Sequence, residues 1–168
     1  MSANPSFESV LTVKLTLGTP WRIGQAGSGE FITGVPFTGG NLKSVEGGLL
    51  SGLVDAECIH GLDMSRLPAS QDFTRLSVES IWRNKDDAMI HLSYNALLRM
   101  TDEIKNIFMA HKDAKSTSFG DVYAHFKFQT GTPKLKALEE NLFVGSGRFV
   151  LEEGKDLAVE YNIGRIIG

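Results

Sequence analysis

The sequence predicts a mainly β fold, a single antiparallel β-barrel of calycin or lipocalin kind with about eight to ten strands and one short helix. Three observations predict it. Segments with period-two alternation of apolar and polar residues recur along the chain, separated by turn residues. Only the stretch after Thr101 has clear helical spacing. Eighteen glycines in 168 residues exceed the usual share of roughly 7% and suit a chain with many tight turns and bends. Closure into a barrel would remove the edges that so many strands otherwise expose. The length fits one domain spanning residues 1–168, and a barrel of this size can hold one small ligand.

Ser6–Leu17 alternates Phe7, Val13, Leu15 and Leu17 with Glu8, Thr12, Lys14 and Thr16, and Thr19-Pro20 ends it. Trp21–Gly29 reads as a turn region. Phe31–Phe37 is a short strand ending in Thr38-Gly39-Gly40. Gly47–His60 reads as a longer strand that carries Asp55 in an apolar neighbourhood, and Gly61–Asp72 as a loop with one helical turn near Met64. Phe73–Arg83 places Leu76, Val78, Ser80 and Trp82 on one face, with Ser77, Glu79, Ile81 and Arg83 on the other. Asn84-Lys85-Asp86-Asp87 is a hairpin turn by composition, and Ala88–Asn95 returns as its partner with Ile90, Leu92 and Tyr94 on one side.

Thr101-Asp102-Glu103 offers an N-cap and two acids in the first turn. Ile104, Ile107, Phe108 and His111 follow at helical spacing, which predicts a helix over Asp102–His111. Lys112–Asp121 is loop. Val122–Thr130 alternates Val122, Ala124, Phe126 and Phe128 with Tyr123, His125 and Lys127, and Gly131-Thr132-Pro133 ends it. Lys134–Glu140 is a polar connector. Leu142–Leu151 is two apolar runs joined by Gly145-Ser146-Gly147, which reads as a strand bending at a barrel corner with Arg148 fixed beside the bend. Glu152–Asp156 is a turn before a last strand through Leu157, Val159, Tyr161 and Ile163.

Composition excludes several function classes. Net charge is −3 and pI about 5.8, which argues against a nucleic-acid partner. No basic cluster reads anionic lipid, and no apolar run reaches the length of a membrane span. The N-terminal residues lack the charged and apolar regions of a secretory signal, so a cytoplasmic location is the expectation. Cys58 is the sole cysteine, which excludes an intramolecular disulfide and a multi-cysteine metal site. Gly24-Gln25-Ala26-Gly27-Ser28-Gly29 has the glycine spacing of a phosphate loop. No Lys-Ser/Thr and no helix follow it, so it reads as a hairpin or mouth loop. No pair of His60, His91, His111 and His125 has ligand spacing, so no metal is expected. No cofactor motif is present, and no cofactor is expected.

Five stretches together resemble a family of small barrel proteins, domain of unknown function 3237. They are Phe37-Thr38-Gly39-Gly40, Gly52–Asp55, the Asn84–Ile90 hairpin, Phe128-Gln129-Thr130-Gly131 and Phe143-Val144-Gly145-Ser146-Gly147-Arg148. The helix and Lys115–Asp121 resemble the fungal branch of that family. The resemblance implies a barrel and no assigned activity; relatives in microbial biosynthetic clusters imply small-molecule chemistry. Glu139, Glu140, Ser77 and Tyr94 depart from the family pattern, which has Asn, Arg, Asp and Asn there.

The candidate catalytic residues are His125, Arg148, Asp55 and Glu79. His125 is the general-base candidate, since imidazole titrates near neutrality; its face with Tyr123 and Lys127 also reads as a solvated outer wall. Arg148 is read as facing the lumen, where its fork stabilises an anionic oxygen, or else as half of a structural ion pair with Asp55 or another acid. Asp55 is read as a buried carboxylate, which must be paired or protonated. Glu79 is an acid–base candidate on a strand, or simply exposed. Trp82, Tyr94, Tyr123 and Phe126 are the candidate substrate-binding residues, with core packing as the alternative. The expected function is a cofactor-independent isomerase or cyclase acting by proton transfer on a polyketide or terpenoid intermediate held in the lumen. The alternative is a non-catalytic carrier of a hydrophobic small molecule. The only partner expected is that hydrophobic small molecule, with neither nucleic acid nor membrane, and a homodimer is kept open.

Overall fold

A computed structural model describes residues 4–168 of the chain. Nine antiparallel strands form one sheet: β1 (Ser6–Leu17), β2 (Trp21–Gln25), β3 (Phe31–Ser44), β4 (Asp55–Leu67), β5 (Phe73–Asn84), β6 (Met89–Arg99), β7 (Val122–Gln129), β8 (Phe143–Val150) and β9 (Ala158–Ile167). Their order is β1-β9-β8-β7-β6-β5-β4-β3-β2, and β1 also pairs with β3. That second pairing closes eight strands into a barrel and leaves β2 as an extra strand outside the closure.

Period-two alternation survives closure as an inside and an outside. Leu76, Val78, Ser80 and Trp82 of β5, Ile90, Leu92 and Tyr94 of β6, and Val122, Ala124, Phe126 and Phe128 of β7 are all buried. Trp82, Tyr161, Phe126 and Phe143 are among the largest fully buried side chains of the core. Rings meet edge-on or tilted there, as their quadrupoles favour: Tyr94–Phe126 at 4.9 Å, Tyr94–Tyr161 at 5.3 Å and Phe126–Tyr161 at 5.3 Å. Leu50, Val54, Leu135 and Leu138, from the β3–β4 and β7–β8 connections, join the core at one end of the barrel. Ile104 and Ile107 of α1 (Asp102–Phe108), the single α-helix among the described residues, join it at the other.

Several elements differ from the sequence expectation. Thr101 caps α1 by accepting from the Ile104 amide, and the helix ends at Phe108, short of His111. Ala110 stops it in the left-handed region (φ 49°). Residues 47–53 form turns rather than strand, because Gly47 (φ 78°) and Gly52 (φ 74°) hold left-handed conformations that extended chain does not use. β4 instead begins at Asp55 and runs through the expected loop to Leu67. A register shift at Cys58/His60 reverses its alternation, so that beyond it Gly61 and Asp63 turn inward. β3 continues through Gly39-Gly40 to Ser44. The first half of the expected Trp21–Gly29 turn is β2, and Ala26–Glu30 turns it back into β3.

The expected bend at Gly145-Ser146-Gly147 is absent. β8 pairs without a shift with both β7 and β9 through this stretch. The two glycines face inward and make room for neighbouring rings. A Cβ on Gly145 would lie 2.8 Å from the Phe126 ring, and one on Gly147 would lie 2.6 Å from the Tyr161 ring.

Candidate functional site

Strand parity places Arg148 on the outer wall, not in the lumen. It alternates with the inward Gly147 and Phe149 and pairs across β9 with Glu160. Its Nε donates to Glu160 Oε2 at 2.9 Å, a terminal nitrogen lies 2.9 Å from the same oxygen, and its guanidinium sits 5.1 Å from the Phe119 ring centre. The structural ion pair is therefore with Glu160 and not with Asp55. Asp55 opens β4 at the opposite end of the barrel, with an exposed carboxylate in an ion pair with Lys85. It is not a buried acid. The Lys85 hydrogen bond holds the Asp55 carboxyl below the usual range.

The other two catalytic candidates also face solvent. His125 lies on the outer face of β7 between Tyr123, which is 60% exposed, and Lys127. Glu79 meets His91 Nε2 at 2.5 Å, and His91 Nδ1 lies 3.0 Å from Gln129 Oε1. The four thus sit on separate parts of the outer wall, and the structure does not bring them together. Of the four binding candidates, Trp82, Tyr94 and Phe126 share the interior, while Tyr123 faces outward. Trp82 Nε1 donates to Ser80 Oγ at 2.8 Å, and Ser80 donates to the Leu92 carbonyl at 2.8 Å, so the indole is fixed.

The interior also holds a group that the sequence reading left in a loop. Asp63 of β4 pairs with Val78, and Val78 pairs with Tyr94. Its side chain points inward toward Tyr94 and Tyr161. Asp63 Oδ1 and the Tyr161 hydroxyl are the two buried side-chain polar atoms without a hydrogen-bond partner among the described residues. Burial pushes the Asp63 carboxyl up to about 7, against a weaker opposing hydrogen bond from the Ser77 backbone. The Tyr94 and Tyr161 phenols are both raised, chiefly by burial, and the Asp63 charge adds to each shift. The two hydroxyls influence each other's ionisation, yet Tyr161 makes no hydrogen bond of ordinary geometry. Cys58 lines the interior beside Trp82, and burial pushes its thiol up to about 11.

The arrangement combines one carboxyl balanced between its two forms at neutral pH with two phenols that remain protonated. It can accept a proton, return one, and donate hydrogen bonds to an oxygen that gains negative charge. Sequence reading missed Asp63 because the register shift in β4 inverts the pattern, with Leu62 and Met64 outward and Asp63 inward. The available signal was an acid flanked by two apolar residues within strand length of Phe73.

Two open depressions mark the outer wall on either side of Lys14 and Thr16. One, of about 430 Å³, lies under the β8–β9 turn beside Glu152 and Lys155. The other, of about 460 Å³, lies against Gly39, Gly40, Asn41, Glu57 and Cys58. Among the described residues no group of three His, Cys, Asp or Glu side chains gathers as metal donors, and no helix is long and apolar enough to cross a membrane.

Residues 5–166 match the family described as Protein of unknown function (DUF3237). Solved structures share the fold. A conserved protein of unknown function from Rhodopseudomonas palustris aligns with TM-score 0.78 at 14% identity, covering 99% of this chain and 100% of its own. A protein with unknown function from Clostridium acetobutylicum aligns with TM-score 0.74 at 20% identity, covering 98% and 100%. An enzyme from Penicillium herquei aligns with TM-score 0.65 at 16% identity, covering 99% and 98%. No curated protein matches the chain.

Proposed function

We propose, for a chain that belongs to the family described as Protein of unknown function (DUF3237), a cofactor-independent enzyme that moves protons on a mostly apolar small molecule. Asp63 is its acid–base group. The observation that carries this reading is the Asp63 carboxyl: its Oδ1 is buried without a partner, and it is balanced near neutrality beside two phenols. A general acid–base group works best when its pKa lies near the operating pH, and contributes roughly 10²–10⁴-fold. Tyr94 or Tyr161 would hold an enolate or alkoxide oxygen as it forms. Trp82 and Phe126 would supply the apolar wall.

Isomerisation or cyclisation of a natural-product intermediate, polyketide or terpenoid, needs such a set and no cofactor. The Penicillium herquei neighbour is described as an enzyme, which supports catalytic use of this barrel by analogy alone. We also propose that the chain belongs to the fungal branch of the family, a reading supported by the sequence resemblance of the helix and Lys115–Asp121. This reading moves the acid–base work from His125, Glu79 and Asp55, and the anion stabilisation from Arg148, because all four lie on the outer wall.

The test is a comparison of metabolites with and without the gene. The compound that accumulates on deletion is then incubated with the purified protein. Conversion that falls at least a hundredfold in a folded Asp63→Asn variant supports the reading. Tight binding of that compound without conversion by the unaltered protein would overturn it in favour of a carrier.

A further inference from the structure

The ladder between β3 and β4 has a break. Phe31–Pro36 pairs with Leu62–Leu67 and Asn41–Lys43 with Asp55–Glu57, but residues 37–40 and 58–61 have no partners across this seam. Each side is anchored on its other edge. Gly39 and Gly40 pair with Thr16 and Leu15 of β1, and Cys58 and Gly61 pair with Trp82 and Ser80 of β5. Parting of the strands at the seam would therefore leave each of them paired with its other neighbour. Four residues of strand span roughly 13 Å, and the backbone groups along an open seam require partners.

The second outer depression lies against this break. Its rim is bare at Gly39, where an added Cβ would meet nothing within 4 Å. Its inner side is close to the core. A Cβ on Gly40 would lie 3.2 Å from Trp82 Cη2 and 3.4 Å from Cys58 Cβ. Cys58 lines the depression and also packs against the hydrophobic core, so it spans the wall. The Phe37 ring covers Gly61, two residues before Asp63.

We propose that this break is the port through which a small molecule with an apolar body and one acidic oxygen group reaches Asp63, Tyr94 and Tyr161. Lys14 and Asn41 hold the acidic end at the mouth. Lys14 lines this depression, and its ammonium is shared between Glu152 at 3.8 Å and Glu160 at 3.7 Å, so an acidic group at the mouth competes with these two partly solvated ion pairs for it. Glu57 on the same rim disfavours a second negative charge. The inner end of the port rests on the acid–base reading above; the port itself is measured without turnover.

Cys58 is the chain's sole cysteine and reports on the port. Its thiolate attacks 4,4′-dithiodipyridine, forms a mixed disulfide and releases one thiopyridone, which is followed by absorbance. Gly39→Phe and Asn41→Phe each put a ring in the mouth. The expected result is that native protein reacts, and that at least one folded variant with an unchanged Tm reacts at least tenfold more slowly at the same pH. The dye 1-anilinonaphthalene-8-sulfonate, an apolar body with one anionic group, should bind the native protein and bind more weakly to Lys14→Ala. Equal thiol rates in both folded ring variants would overturn the port, as would a native rate equal to the rate of global unfolding. Asp63→Asn should leave the thiol rate unchanged. Lost turnover with intact port kinetics, or the reverse, therefore shows which reading fails.

Discussion

The ring of Tyr161 occupies the space that a side chain at Gly147 would need. An added Cβ would stand 2.6 Å from Tyr161 Cε1 and 2.8 Å from Val122 Cγ1, and both partners are essentially buried. Neither can move outward through a closed wall. Gly147→Ala should therefore destabilise by about 1–3 kcal/mol through overpacking, lowering Tm by roughly 2–12 °C for a domain of this size. Gly131→Ala, where the new Cβ meets nothing within 4 Å, is the matched control. Equal melting curves for the two variants would contradict the packing described.

Asp63 gives stability a pH dependence of known sign. Its carboxyl rises from an ordinary 3.8 to about 7 on folding, so the folded chain binds the proton more tightly than the unfolded chain. Stability from this group is fully present below about pH 4 and is lost as pH rises through about 7. The loss is on the order of 4 kcal/mol if no relaxation intervenes. Asp55 and Glu152 are lowered by their lysine partners, and their contributions are lost below that window as pH falls. Denaturant melts between pH 4.5 and 8 should show the decline, and Asp63→Asn should flatten it and raise stability at pH 8. A flat profile in the unaltered protein would refute the assignment.

Arg148→Met tests a different kind of residue. The Arg148–Glu160 pair is partly solvated, with the arginine side chain 39% exposed. Exposed pairs contribute about 0.2–1 kcal/mol. The variant should fold, lose at most a few degrees in Tm, and keep the Asp63 titration unchanged. A large loss of turnover in that folded variant would return Arg148 to the site.

Ser80→Ala should cost more than its size suggests. It removes the acceptor for Trp82 Nε1, leaving a fully buried N–H without that partner. The penalty for such a group is about 1–3 kcal/mol. In a Trp21→Phe background, the emission of Trp82 should shift as its hydrogen bond is lost. An unchanged emission and Tm would show that the indole has found another acceptor.

The parts of the fold legible from sequence are those with unbroken alternation. β5, β6 and β7 carry no register shift between them, so Leu76–Trp82, Ile90–Tyr94 and Val122–Phe128 could be sorted by face from spacing alone. β4 could not, because one extra residue at Cys58/His60 exchanges its faces midway. That same residue hid the candidate site. It turns Asp63 inward while Leu62 and Met64 face outward, the reverse of what a half-buried strand displays. Gly145 and Gly147 misled in another way. Glycine in a strand signals either a bend or a close approach, and only the positions of Phe126 and Tyr161 show that close approach applies. Once the strand is straight, parity alone sends Arg148 outside.

The closing of the barrel sets a constraint on how it is reached in time. β1 pairs on one side with β3, close in sequence, and on the other with β9, where Phe7 faces Ile166 and Thr16 faces Ala158. A growing chain can build the meander from β3 to β8 as each strand emerges, yet β1 and β8 both keep an open edge until β9 has been made. The last step then joins segments separated by almost the whole chain, which is entropically slow to nucleate. Until it occurs, the sheet is an unfinished cylinder whose two free rims can pair with one another only through the final strand, or with a neighbouring chain.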